Sequence, residues 1–87
     1  MNNQESDLTD IDKLAERLVE SHSNLLDELV LVRKQKGLTQ EVIGERMGIN
    51  TLAVEAFENE DSNPTLSSIR RYALAIGVGI NYKVDKI

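Results

Sequence analysis

The chain has 87 residues, a net charge of −5 and no cysteine. This length allows one small domain with a marginal core, and the lack of cysteine excludes disulfides and thiolate metal sites. We expect a soluble, cytoplasmic protein without membrane contact, because no apolar run approaches the roughly 20 residues of a membrane helix and the acidic N-terminus is unlike a signal peptide.

The N-terminal region is predicted to form two helices after a polar, frayed start. Apolar residues recur at helical spacing over 8–19 and again over 25–32. The stretch 21–24 (Ser-His-Ser-Asn) interrupts the pattern, and Gly37 ends the second helix. Three arrangements of the first helix stay open: it packs on the flank of the following domain, contacts a partner chain, or is continuous with the second helix.

The stretch 39–58 has the pattern of two short helices joined by a tight turn, which is typical of a helix-turn-helix motif. Thr39 and Asn50 are good N-cap residues. Gly48, between the two helices, suits the left-handed position that ends a helix. The inward-facing positions at helical spacing are Ile43 and Met47 in the first helix and Val54 and Phe57 in the second.

The C-terminal third is predicted to contain a loop, a helix and a strand. Residues 59–64 have loop composition, Thr65 caps a further helix, and Gly77 ends it. Apolar and polar residues then alternate, as in a strand. A single strand leaves backbone groups unpaired, so we expect it to pair with its copy in a homodimer; the alternative is a loose tail. The predicted dimerisation residues are Val78, Ile80, Tyr82 and Val84.

Residues 31–78 resemble the lambda-repressor-like, or XRE-type, helix-turn-helix family. The matching motifs are Arg33–Gln40 (RKQKGLTQ), Gly44–Asn50 (GERMGIN), Glu58–Glu60 (ENE), Asn63–Leu66 (NPTL) and Ala73–Val78 (ALAIGV). The resemblance implies an all-α bundle of about five or six helices, to which this chain adds an N-terminal helix and a C-terminal β-strand. We divide it into a polar start with the extra helix (1–21), the helix-turn-helix domain (22–78) and the dimerisation strand (79–87).

The resemblance also implies which residues contact DNA. The base-contacting positions are Thr51, Leu52, Glu55 and Ala56. Gln40 and Asn59 match phosphate-contacting amides, and Arg33 and Glu58 match a structural ion pair. Lys34, Lys36 and Arg46 are added as phosphate partners for their charge. The alternatives are that Leu52 and Ala56 pack or meet a protein, that the two amides cap helices or face solvent, and that the cations lie on a solvated helix face.

The acidic charge and one of two departures from the family pattern weigh against tight DNA binding. Residues 1–21 carry a net charge of −4 and residues 22–82 carry −2, so most of the excess acid lies outside the helix-turn-helix domain. Gly44 stands where alanine is usual, at a cost of roughly 1 kcal/mol in helix propensity. Glu60 stands where glycine is usual, and with Asp61 it puts two carboxylates near the expected DNA backbone.

We interpret the chain as a sequence-specific transcriptional regulator, a repressor that binds an inverted-repeat operator as a homodimer through the helix starting at Asn50. The alternatives are an antitoxin that also autoregulates its operon and a protein-binding module that has lost DNA recognition. The expected partners are double-stranded DNA, a second copy and, for the antitoxin, a toxin or other small protein. We expect no enzyme activity, cofactor or metal, because His22 is isolated and no nucleophile–base arrangement is evident.

Overall fold

The computed structural model describes residues 3–59 and 61–84, with side chains described from residue 10 onward. These residues form four α-helices and no strand: α1 (Asn3–Gln35), α2 (Gln40–Met47), α3 (Thr51–Glu58) and α4 (Leu66–Ile76). The architecture is all-α, as predicted. The expected count of five or six is too high because the two predicted N-terminal helices are one.

Helix α1 runs without interruption through residues 21–24, so the predicted break at this stretch is wrong. Serine and asparagine have only a modest helix penalty, and tertiary contacts override it. One such contact is made by half-buried His22, whose Nε2 lies 2.9 Å from the carbonyl oxygen of Pro64. Of the three arrangements left open, the structure has the continuous helix. Its 33 residues span about 50 Å at 1.5 Å per residue.

The turn between α2 and α3 is built from local capping interactions. The Thr39 hydroxyl accepts a hydrogen bond from the Val42 N–H at 3.1 Å, and the Asn50 side chain accepts one from the Ala53 N–H at 2.7 Å. Gly48 takes a left-handed conformation with φ of 73°. Gly44 lets the turn approach α2 closely, since a Cβ there would lie 2.7 Å from the Ile49 carbonyl oxygen. Sequence and local geometry agree throughout this motif.

The hydrophobic core lies between the C-terminal half of α1 and the three shorter helices. Helix α4 contributes the most to it, including the fully buried Ile69 and Tyr72. The other buried apolar side chains are Leu26, Leu29, Ile43, Val54, Ala73, Ala75 and Ile76. Because α3 contributes only Val54 to this buried set, most of its surface stays outside the core.

Residues 78–84 follow α4 without forming a strand in the described chain. Val78 and Ile80 are half-buried, whereas Tyr82 and Val84 are exposed. A strand requires a neighbouring strand for its backbone hydrogen bonds, and the described chain has no second extended segment to supply one. Residues 79–84 therefore do not form the expected strand, and the last three residues of the predicted segment 79–87 lie outside the described ones.

None of the helices formed by the described residues is long and apolar enough to span a lipid bilayer.

Candidate nucleic-acid interface

Helix α3 presents one exposed face and one anchored face. Val54 is fully buried and Phe57 is half-buried, and both hold the helix on the core. The four predicted base-contacting residues, Thr51, Leu52, Glu55 and Ala56, are all exposed and share the opposite side of the helix. Leu52 is 74% exposed, so its side chain is available for an apolar contact on this face. The arrangement can present four short side chains to a groove or a partner.

The carboxylate of Glu58, at the end of α3, joins all four helices. Arg33 of α1 binds it with two nitrogens, Nε to Oε2 at 2.7 Å and Nη2 to Oε1 at 2.9 Å. The Gln40 amide of α2 donates to Oε1 at 2.9 Å, and the Tyr72 hydroxyl of α4 donates to Oε2 at 2.5 Å. The structure thus brings together the predicted pair Arg33 and Glu58, and it adds two partners that sequence reasoning missed.

The charges in this network stabilise one another. Burial alone disfavours the ionised carboxylate of Glu58, but hydrogen bonds from Arg33, Tyr72 and Gln40 outweigh it and hold the pKa of Glu58 below its ordinary value. Burial and the bond to Glu58 raise the pKa of Tyr72 above its ordinary range, so the hydroxyl stays protonated. For Arg33, burial opposes the charged form, but the contact with Glu58 prevails and raises its pKa.

Tyr72 could have been found from the sequence by one signal. It lies on the apolar face of α4, between Ile69 and Ile76, where its hydroxyl needs a buried acceptor. Its ring also packs against the ring of Phe57 of α3 in a tilted arrangement, with ring centroids 4.8 Å apart. Tyr72 therefore fixes α3 through both its ring and its hydroxyl.

The predicted phosphate-contacting residues fall into two groups. Gln40, Asn59 and Lys34 belong to the first, near the two ends of the α2–α3 unit and the end of α1. One amide hydrogen of Gln40 is used by Glu58, and the Asn59 side-chain oxygen accepts from the Asp61 N–H at 2.9 Å. Each amide keeps donor capacity after these contacts, so both side chains are held in place and can still donate.

Lys36 and Arg46 form the second group, and both bind the end of α4. Lys36 Nζ donates to the Ile76 carbonyl at 2.7 Å, and Arg46 Nη1 donates to the Ala75 carbonyl at 2.7 Å. The last turn of α4 contains no basic residue of its own, so these two cations from other elements satisfy carbonyls at its negative end. Sequence reasoning missed this role, since neither residue is close to α4 along the chain.

Two acidic residues that follow α3, Glu60 and Asp61, were predicted to repel a phosphate backbone. Asp61 is exposed, and Glu60 lies outside the described residues. Arg70 and Arg71 are also exposed on α4.

A helix-turn-helix family model matches residues 29–83, which is well over half of the chain. The protein therefore belongs to the XRE-type helix-turn-helix family, a class of DNA-binding fold. Two curated proteins are 40% identical to it over 57 residues: Antitoxin HigA1 of Mycobacterium tuberculosis strain CDC 1551 / Oshkosh and Antitoxin HigA1 of strain ATCC 25618 / H37Rv. The similar segment covers 66% of this chain but only 38% of each relative. No solved structure shows a significant match.

Proposed function

We propose that the protein is a sequence-specific DNA-binding regulator that represses transcription by binding an inverted-repeat operator as a homodimer. The observation that carries this proposal is the exposed face of α3 within an XRE-type helix-turn-helix unit. The buried Val54 and the Glu58 network fix the helix, so its outward side chains have defined positions. Preorganised side chains on a rigid helix are what base recognition in the major groove requires.

Each side chain on this face has a chemistry that suits a base edge. The Thr51 hydroxyl can donate or accept a hydrogen bond, and the Glu55 carboxylate can accept one from a cytosine amino group. Leu52 and Ala56 can pack on thymine methyl groups. Since none of the four is a glutamine, asparagine or arginine, specificity depends on these single and apolar contacts.

Phosphate contacts would come from residues around α2 and α3. Gln40 and Asn59 retain amide donors, and Lys34 is exposed at the end of α1. Lys36 and Arg46 already bind carbonyl groups of α4, so we do not count them among the main phosphate contacts. With so few cations, we expect affinity that depends on salt but with a shallow slope.

The dimer would pair the segments around Val78, Ile80, Tyr82 and Val84 from two copies. The alternation of these side chains suits a two-stranded ladder, which would satisfy backbone groups that one chain alone leaves to solvent. A two-fold axis would then place two copies of α3 about 34 Å apart, in successive major grooves.

Selection of bound duplexes from random DNA, followed by a salt titration on the enriched sequence, tests this function. We expect an inverted repeat whose affinity falls as salt rises. Thr51→Ala and Glu55→Ala should each change base preference at one position per half-site, by about 0.5–1.5 kcal/mol, the usual net contribution of a single hydrogen bond. Glu28→Ala, an exposed glutamate on α1, is the matched control and should leave preference unchanged. If no duplex is enriched even at low salt, operator binding is wrong and the exposed face of α3 is a protein-binding surface.

A second candidate function is an antitoxin that neutralises a toxin and autoregulates its operon. It is supported by the 40% identity over 57 residues to proteins named Antitoxin HigA1. The test is to express each open reading frame adjacent to the gene, alone and together with this chain. A neighbour that stops growth alone but not with the chain supports the antitoxin function, and the absence of any such neighbour contradicts it. Both candidates are binding functions, and we propose no catalytic activity.

A further inference from the structure

Residues 10–21 of α1, which we call the arm, form an amphipathic helical segment whose apolar side is largely exposed. Leu18 and Val19 line an open groove with the loop residues Asp61–Asn63 and stay mostly exposed there. Ile11, Leu18 and Val19 are 58%, 71% and 70% exposed and lie on one side of the helix. Asp12, Glu16 and Glu20 follow each other at a spacing of four residues, so they form an acidic ridge along that apolar side. The arm carries a net charge of −2.

A groove with the opposite character lies between α2 and α4. Its volume is about 410 Å³, and it is lined by Arg46, Met47, Arg71, Leu74 and Ala75. Leu74 is 80% exposed. The groove contains two arginines and no acidic residue, and Arg46 is held in place by its bond to the Ala75 carbonyl. The groove therefore combines exposed apolar side chains with positive charge. It complements the arm, which combines exposed apolar side chains with negative charge.

The arm cannot reach the groove of its own chain. The groove adjoins the end of α4, to which Lys36, just beyond α1, is bound. The arm is at the other end of the same continuous helix, with about 30 Å of helix between Glu16 and Lys36. A second copy placed antiparallel would bring its own groove to the end of α1 that carries the arm. Because the relation is mutual, a two-fold dimer makes the contact twice.

We propose that the arm of each copy docks in the α2–α4 groove of a second copy, with Leu18 and Val19 on Leu74 and with Glu16 and Glu20 facing Arg71. Side-by-side pairing of two arms is disfavoured, because it would bring two acidic ridges into one interface. The inference deepens the proposed function, on whose homodimer it rests, by naming a contact surface outside the C-terminal segment. Leu74 also lines the neighbouring groove that contains Ile80 and Tyr82, so the two contacts would adjoin.

Charge exchange in the full chain tests this contact through the dimer dissociation constant, measured by sedimentation equilibrium. Glu16→Lys/Glu20→Lys and Arg71→Glu should each weaken the dimer about tenfold, since every change occurs twice in the interface. The triple variant, which restores opposite charges in each contact, should dimerise more tightly than either parent. Leu18→Gln should also weaken the dimer about tenfold. Leu31→Gln is its matched control: Leu31 lies in the same helix and is 54% exposed, but it faces away from the apolar side of the arm.

The outcomes separate this inference from the proposed function. A chain that stays monomeric, or a dimer that responds to neither parent variant, overturns the arm contact. A triple variant that is weaker than both parents overturns it as well, even if each parent has an effect. Circular dichroism on every variant shows whether helix content is retained. Selection of bound duplexes is a separate measurement. If no duplex is enriched but the charge-exchange variants change dimerisation as expected, operator binding is contradicted and the arm contact is not.

Discussion

The two described parts of α1, the arm (10–21) and the C-terminal half, have the same amphipathic pattern but opposite surroundings. In the C-terminal half, Leu26 and Leu29 are each only 4% exposed and pack in the core. In the arm, Leu18 and Val19 continue the apolar side and are 71% and 70% exposed. Periodicity thus establishes that a helix has an apolar side, whereas burial depends on whether the chain supplies another element to cover it.

The largest expected difference is between two arginine variants, Arg33→Met in the C-terminal half of α1 and Arg17→Met in the arm. Arg33→Met leaves the Glu58 carboxylate without its bidentate partner in a site where both side chains are less than 10% exposed, at 8% and 7%. The free energy of unfolding should fall by about 3–5 kcal/mol. Arg17→Met, in the exposed arm, should change it by less than about 0.5 kcal/mol. Urea unfolding of both variants measures the contrast, and equal losses would mean that the arm is also part of the folded core.

A leucine-to-alanine pair tests the apolar side directly. Leu29→Ala should lower the free energy of unfolding by about 3 kcal/mol, because it leaves a cavity in the core. Leu18→Ala should cost less than about 0.5 kcal/mol in the monomer. At protein concentrations where the proposed dimer forms, Leu18→Ala should become more costly, since a second copy binding the arm adds to apparent stability. Thermal unfolding over a wide concentration range shows whether the cost of Leu18→Ala varies in this way.

The contact of Arg33, in the C-terminal half of α1, with Glu58 of α3 should also make the stability of the protein sensitive to acid. The folded-state pKa of Glu58 lies below the ordinary value of 4.5, so the unfolded chain takes up a proton first as pH falls. The resulting stabilisation is complete above pH 4.5 and is lost as pH drops through the folded-state pKa. Urea unfolding from pH 7 to pH 3 should show a smaller pH dependence in Glu58→Gln than in the wild type. Glu16→Gln in the arm is the control and should leave the wild-type dependence intact.

The same contrast explains which parts of the molecule could be predicted from sequence. The caps at Thr39, Asn50 and Thr65 were predicted because capping depends on residues within one helical turn. The pairing of Arg33 with Glu58 followed from the family resemblance. The contacts of Lys36 and Arg46 with α4 were missed, because long cationic side chains can reach many carbonyls and only the folded backbone selects one. The exposed α3 face was expected from the motif, but the exposure of the arm was not, because periodicity does not show which part of an apolar side the chain covers.

The smallest expected effect is at the junction of the two halves. The sequence around His22 predicts a break in α1, yet the helix continues where His22 contacts the carbonyl of Pro64, 42 residues away. Removing this contact with His22→Ala should cost about 0.5–1.5 kcal/mol. The loss should be local, because the apolar side chains Ile11, Leu18 and Val19 are mostly exposed and give the arm little packing to hold it against fraying.

Hydrogen exchange measured residue by residue, at a concentration below dimer formation, follows that loss. In the wild type, amides of 10–21 should exchange faster than those of 25–33, and in His22→Ala the exchange of 10–21 should accelerate about 2- to 10-fold. Ser23→Ala, an exposed neighbour in the same stretch, should not accelerate it. If His22→Ala leaves the arm unchanged, the helix is continuous through its own propensity, and the His22–Pro64 contact only positions the loop before α4. The His22–Pro64 contact would then contribute nothing to the difference in exchange rate between the two parts of α1. That difference would depend only on how far the core covers each part.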